Sequence, residues 1–261
     1  RCKKKSFGAS VVASLEALSF KIMRLDKIVD YFIIPSRFLK DQLALMGLDT
    51  SSFHYVPNFV DMFPENRVQG DYVLYVGRIV KEKGLGVLID AMALNREIPL
   101  LIAGSGADEV IFRDRVKDLQ LSNVEFTGHL SGDVFKDIIK NSRMVVLPST
   151  CYENAPISII EAMSYQRAVI GSNIGGIPEL INDGVNGFLF ETGNATDLSS
   201  KIRILWSNSS LSWAMGECGR NMVEKNHTKD LHLDRILGVY DLAYSKKHIK
   251  FGQSESYSNH Q

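Results

Sequence analysis

The 261 residues carry 30 Lys+Arg against 30 Asp+Glu, and 45% are hydrophobic and 23% charged. That is the composition of a folded globular chain, one large domain or two modest ones at roughly 100–200 residues each, and it excludes a disordered polyelectrolyte. Zero net charge leaves no basic excess for a dedicated nucleic-acid binder. No run approaches the ~18 consecutive apolar residues of a membrane span. Cys2, Cys151 and Cys218 are too scattered for a disulfide framework and fit reduced thiols in a cytoplasmic protein. The six histidines form no HExxH pair.

The start, RCKKKSFGAS, has neither an initiator Met nor the apolar stretch of a signal peptide, so further sequence is expected upstream. Residues 1–60 predict a helix over about Gly8–Arg24, a strand at Tyr31–Ile34, a helix from Ser36 to Gly47 and a strand near Phe53–Val56. This is too little for a sheet with its own core and reads as the last βαβ portion of another domain. Pro57–Gly70 has the Pro/Asn/Gly content of a linker, with the domain junction at 61–70.

From 71 to 227, short apolar runs alternate with amphipathic ones. Tyr72–Val76, Pro99–Ala103, Val124–Thr127, Met144–Leu147, Ala168–Gly171 and Phe188–Phe190 read as strands. The stronger runs are nearly continuous in apolar residues, as in strands covered on both faces of a parallel sheet. Helical spacing falls at Lys83–Asn95, Asp108–Gln120, Asp133–Asn141, Pro156–Tyr165 and Pro178–Asn182. The alternation predicts an α/β, Rossmann-like doubly wound parallel sheet. Beyond it, helices are expected at Asp197–Leu205, Leu211–Lys225 and Lys229–Lys246, with Thr196, Ser210 and Thr228 as N-caps, and then a mobile polar tail over 248–261.

Four stretches carry candidate chemistry. In VGRIVKEKG, Gly77 turns the chain after a strand, and Arg78 and Lys83 follow where a helix begins. Open α/β sheets bind ligands beyond their strand ends, and two cations beside helix N-terminal amides suit a phosphate or diphosphate. They equally suit two surface cations beside a structural turn. In LIAGSGADE, Gly104 and Gly106 lack the third glycine of a dinucleotide fingerprint and mark a close-packed turn rather than an NAD site.

In STCYENAPISIIEAM, Glu153 lies in a loop, Pro156 at the first position of a helix, and Glu161 inside that helix among apolar neighbours, where an acid should have a partner. Two carboxylates at one site suit a polyhydroxylated ligand, and free N–H groups at the helix mouth suit an anion or hydroxyls. In SNIGGIPELINDGVNGFLF, Gly175 and Gly176 permit close approach of backbone to a ligand, though such glycines alone are more often structural, and Glu179 follows Pro178 as a first-turn acid.

VGRIVKEKG, IAGSG, FTGHL, YENAP-ISIIEA and GGIPE…GVNGFLF, in this order, resemble the nucleotide-sugar-binding half of retaining family 4 glycosyltransferases. The likeness runs over about Tyr31–Tyr240 and includes their Glu-x7-Glu signature as Glu153 and Glu161. It implies the GT-B architecture, two Rossmann-like domains with the active site in the cleft between them. It implies that residues 1–60 are the remnant of an N-terminal acceptor domain, that 71–227 is the donor domain, and that 228–247 is a helix crossing back.

By the same likeness, Arg78 and Lys83 hold the donor diphosphate and neutralise the leaving group. Glu153 contacts the donor sugar, Glu161 accepts from the ribose hydroxyls, and backbone amides around Asn154, Ala155 and Pro156 assist. Gly77, Gly104, Gly106, Gly175 and Gly176 line the donor site, with His129 near the base. No metal or other cofactor is implied. Asn154-Ala155-Pro156 stands where many members have a Gly-Phe-Gly-type segment, which leaves the sugar open.

The implied activity is retaining transfer of a sugar from a nucleotide-diphosphate sugar to a saccharide or lipid-linked acceptor, in polysaccharide or glycoconjugate biosynthesis. This chain is the donor-binding part and is expected to be inactive without the missing N-terminal domain. The alternatives are a nucleotide-sugar epimerase of the same architecture and a non-catalytic nucleotide-sugar-binding module. Arg1, Lys3, Lys4 and Lys5 are a solvated basic end or, alternatively, a peripheral contact with the inner face of a membrane.

Overall fold

The computed structural model describes residues 7–22, 28–63 and 70–258. The basic cluster at 1–5 and the linker positions 64–69 lie outside the described residues.

Six strands form the main sheet: β3 (Val73–Val76), β4 (Leu100–Ala103), β5 (Val124–Gly128), β6 (Met144–Leu147), β7 (Ala168–Ser172) and β8 (Gly187–Phe190). All pair in parallel, in the order β5-β4-β3-β6-β7-β8. The order reverses between β3 and β6, so the connections leaving their carboxyl ends diverge to opposite faces and open a crevice.

The continuous apolar strands divide by alternation. Val73, Tyr75, Leu100, Ile102, Met144, Val146, Ala168 and Ile170 face one core with α3 (Leu85–Ala93), α4 (Glu109–Asp118) and α7 (Ala195–Ser207). Leu74, Val145, Leu147 and Val169 face the other with α5 (Gly132–Lys140) and α6 (Ile157–Ser164). Burial on both faces is why no polar residue alternates in these strands. Helix α8 (Ser209–Asn226) gives Met215 to the first core and Val223 to the second.

Ahead of the sheet stand α1 (Phe7–Ile22), β1 (Phe32–Ile34), α2 (Arg37–Leu45) and β2 (Phe53–Tyr55). β1 and β2 pair in parallel, with the Phe32 and Phe53 rings 4.8 Å apart. The expected linker is docked as far as it is described. Val60 donates its N–H to the His227 carbonyl at 3.0 Å, and Phe63 stacks on Tyr165 at 4.2 Å. Its apolar side chains bury against the second core, which its Pro and Asn content conceals.

Three local expectations are corrected. Asn194, not Thr196, caps α7, accepting from Thr196 and Asp197 N–H at 3.1 and 3.0 Å. Asn208, not Ser210, caps α8, accepting from Leu211 N–H at 2.9 Å. In both cases the amide oxygen lies ahead of the first turn, where it reaches the orphan N–H groups. The last helix, α9, runs Lys229–Ser258, beyond the expected end at Lys246. No proline interrupts that stretch, and Lys, Gln and Glu are good helix formers.

Candidate functional site

The crevice is built by the turns after β3 and β6. Beyond β3, Gly77 N–H donates to the Ala103 carbonyl at 3.1 Å, and Tyr75, fully buried in β3, sends its hydroxyl to the Arg78 carbonyl at 2.8 Å. Burial raises the Tyr75 hydroxyl pKa, so it stays a neutral donor. The chain then makes a 3₁₀ turn, Lys81–Lys83, and enters α3 through Gly84 at φ +70°. A Cβ at Gly84 would lie 1.8 Å from the Pro148 carbonyl oxygen, so only glycine lets this turn rest on the end of β6. Thr150 N–H donates to the Glu82 carbonyl at 2.9 Å and joins the two turns again.

Lys83 and Glu153 are thereby brought face to face. Lys83 Nζ lies 2.5 Å from Glu153 Oε1, and Ser149 Oγ donates to the same oxygen at 2.6 Å. Both side chains of the ion pair are mostly sheltered, at 19% and 13% exposure. Arg78 is exposed, and among the described residues its guanidinium has no carboxylate partner. It borders two hollows. One, of about 430 Å³, is lined by Arg78, Glu82, Lys83, Cys151, Tyr152 and Glu153. The other, of about 260 Å³, is lined by Gly77, Arg78, Gly104, Ser105, His129 and Leu130.

Glu161 sits in the fifth position of α6, after Pro156 in the cap position. The partner expected for its carboxylate is not there: among the described residues it accepts no hydrogen bond and meets no cation. Burial pushes its carboxyl pKa up. The backbone N–H groups of Asn154 and Ala155, at the mouth of the same helix, also lack acceptors among the described residues. The loop thus offers donors, and the helix offers an acceptor that wants protons, as hydroxyl groups supply.

The candidate glycines serve differently from one another. Gly77 and Gly104 line the smaller hollow, yet the closest approach of Gly104 is to protein, since a Cβ there would lie 1.9 Å from the Gly77 carbonyl oxygen. A Cβ on Gly106 would lie 2.2 Å from the Ile79 oxygen. Gly175 and Gly176 press on the Glu153–Asn154 backbone: a Cβ at Gly175 would lie 2.6 Å from the Glu153 oxygen, and one at Gly176 would lie 1.8 Å from the Asn154 oxygen. Their close approaches are made to the backbone that carries Glu153.

Residues 36–58 reach the same loop. Ser36 Oγ donates to Asn154 Oδ1, and Asn58 Nδ2 donates to the Ala155 carbonyl at 2.9 Å. Phe38 packs edge-on to Tyr152 at 5.1 Å. Glu179, expected to serve its own turn, instead accepts the N–H groups of Arg37 and Phe38 at 2.9 and 2.5 Å. Ser36, Ser149 and this role of Glu179 were not visible in the sequence. The one clue is that Ser149 stands four residues before an acid at a strand end.

Cys151 and Cys218 are free thiols. Among the described residues no helix is long and apolar enough to cross a membrane, and no group of three or more His, Cys, Asp or Glu is placed to hold a metal.

A parallel sheet whose strand order reverses between β3 and β6, with helices on both faces, defines an α/β domain of Rossmann type. The Glycosyl transferases group 1 family matches residues 61–222, and the chain belongs to that family. It is 31% identical over 182 residues to the O-antigen chain mannosyltransferase C of Escherichia coli, covering 69% of this chain and 49% of that one. It is 28% identical over 177 residues to the alpha-D-kanosaminyltransferase of Streptomyces kanamyceticus, covering 64% and 45%. The chain thus spans about half the length of these relatives.

The fold matches Anabaena HepE, solved in complex with UDP and glucose, with a TM-score of 0.74 at 18% identity, over 83% of this chain and 63% of that one. It also matches the sucrose-phosphate synthase of Thermosynechococcus elongatus, with a TM-score of 0.77 at 22% identity, over 84% and 59%. The sheet shares the Rossmann-like α/β fold of these solved structures.

Proposed function

We propose that the chain binds a nucleotide-diphosphate sugar at the β3/β6 crevice and serves as the donor half of a retaining glycosyltransferase acting on a saccharide or lipid-linked acceptor. The observation that carries this reading is the grouping of Arg78, Lys83 and Glu153 around one hollow. The diphosphate lies against Arg78 and Lys83. Lys83 has three donor protons, so it can turn to phosphate without wholly leaving Glu153. Glu153 and the Asn154–Ala155 amides meet the sugar. The unpartnered Glu161 accepts from the ribose hydroxyls, and the base lies in the smaller hollow near His129.

In the transfer, the bond between the anomeric carbon and the β-phosphate oxygen breaks, and its electron pair stays on the phosphate. The acceptor hydroxyl oxygen bonds to the anomeric carbon on the same face and passes its proton to the departing phosphate oxygen. Arg78 and Lys83 stabilise the charge gathering on the leaving diphosphate, and such preorganised stabilisers are worth ~10²–10³ in rate. The acceptor is held by further chain corresponding to the other half of the relatives' length, continuous with β1 and β2. On this reading the present chain binds donors and transfers poorly by itself, at the cytoplasmic side of a membrane where lipid-linked acceptors lie.

Calorimetric titration of the folded chain with UDP, GDP, ADP and their glucose or mannose esters tests the reading. Binding of at least one is expected, and Arg78→Ala should weaken it by roughly tenfold or more, as for a lost charged hydrogen bond. No heat with any of them overturns it.

A further inference from the structure

Ser149 lies two residues past β6 and is fully buried. Its hydroxyl donates to Glu153 Oε1 at 2.6 Å, the oxygen that Lys83 also meets. Glu153 Oε2 has no partner among the described residues. Two donors therefore converge on one oxygen and leave the other for a ligand.

The two donors are not equivalent. The Lys83 ammonium ends a flexible four-carbon stem and is free to move toward an incoming phosphate. Ser149 is short, and its backbone is pinned on both sides. The preceding Pro148 carbonyl rests against Gly84, and the following Thr150 N–H is bonded to the Glu82 carbonyl at 2.9 Å. When Lys83 turns to a diphosphate, Ser149 still holds the carboxylate.

We propose that Ser149 is a positioning residue that fixes Glu153 Oε1 so that Oε2 faces the crevice and accepts from a hydroxyl of the donor sugar. The chain thereby distinguishes a sugar-bearing nucleoside diphosphate from the bare diphosphate. This assignment rests on the reading of the crevice as a nucleotide-sugar site.

The test compares affinities of the whole chain for UDP against UDP-glucose, GDP against GDP-mannose and ADP against ADP-glucose. Wild type is expected to gain affinity from the sugar in one pair. Ser149→Ala should lose about tenfold of that gain while its affinity for the bare diphosphate stays within about twofold, because the lost hydrogen bond acts only through Glu153. Glu153→Gln should lose the gain as well, and adding Ser149→Ala to it should cost nothing more, as for two residues acting through one interaction.

Ser149→Cys, close in size but a weak donor, carries the same expectation and covers the case in which the alanine variant does not fold. If wild type binds none of the six ligands, the donor-site reading itself falls. If wild type binds a diphosphate but gains nothing from its sugar, or if Ser149→Ala keeps the full gain, the assignment of Ser149 is overturned and the donor-site reading stands.

Discussion

Glu179 accepts the backbone N–H of Arg37 at 2.9 Å across 142 residues of sequence. With Phe38 N–H on its other oxygen, it caps a helix in a different part of the chain. The first N–H groups of α2 have no partner within the helix, and a carboxylate there also opposes the positive end of the helix dipole. Ser36 takes the Leu39 N–H at 3.2 Å and completes the cap. Glu179→Ala is expected to cost about 1 kcal/mol, the usual worth of a cap, and to lower the melting temperature by a few degrees. Hydrogen exchange at the Arg37 and Phe38 amides should quicken, and unchanged exchange there would count against the cap.

Glu161 supplies a prediction of opposite sign. Burial holds its carboxyl pKa above the ordinary value, so the folded chain keeps that proton to higher pH than the unfolded chain does. The carboxylate therefore destabilises the fold at neutral pH, and the effect fades as the pH falls through the raised pKa and the group becomes neutral. Glu161→Gln should raise the melting temperature at pH 7, with the advantage vanishing near pH 4, and should weaken nucleotide binding. Ribose hydroxyls would favour the charged form, so nucleotide binding should release protons at pH values around the raised pKa. Titration in buffers of different ionisation enthalpy reads that release directly.

His227, at the corner between α8 and α9, supplies a prediction for acid stability. Its ring is buried, and Nδ1 donates to the Asn58 carbonyl at 2.8 Å. Burial is the leading cause that lowers its pKa, against a smaller opposing effect of that hydrogen bond. The unfolded chain takes up the proton first, so stability is flat above about pH 6.5 and falls below it until the folded ring also protonates. His227→Gln should flatten the melting temperature against pH over that window. An unchanged slope would show that other groups set it.

Gly84 and Gly128 separate strain from collision. Both have positive φ, +70° and +76°, but a Cβ at Gly84 strikes the Pro148 oxygen at 1.8 Å, while at Gly128 nothing lies within 4 Å. Gly128→Ala should cost about 1–2 kcal/mol for the backbone alone. Gly84→Ala should cost at least ~3 kcal/mol, since β6 and the β3 turn must part, and should also break the Lys83–Glu153 pair. Equal denaturation midpoints for the two variants would contradict the close packing of Gly84 on Pro148.

Much of the site was legible because its parts lie at strand ends and helix starts. Gly77, Arg78 and Lys83 follow one strand, and Glu153 and Glu161 straddle the start of one helix. What could not be read was which residues face each other. The resemblance assigns Lys83 to phosphate and Glu153 to sugar, yet the two side chains pair with one another. The glycines were legible as places of close approach, but the approach is largely to neighbouring backbone.

The sequence by itself determined the alternation of strands and helices, the parallel sheet and the placing of the candidate site residues at strand ends and helix starts. These follow from period, turn chemistry and spacing, which act within about a dozen residues. Only the tertiary structure decided that Glu179 caps α2, that Ser149 and Lys83 share one oxygen of Glu153, that Glu161 has no partner among the described residues, and that Pro57–Phe63 docks on the domain. Each depends on two loops far apart in the chain meeting at the end of the sheet. Strand order sets that meeting, and no local pattern of residues encodes it.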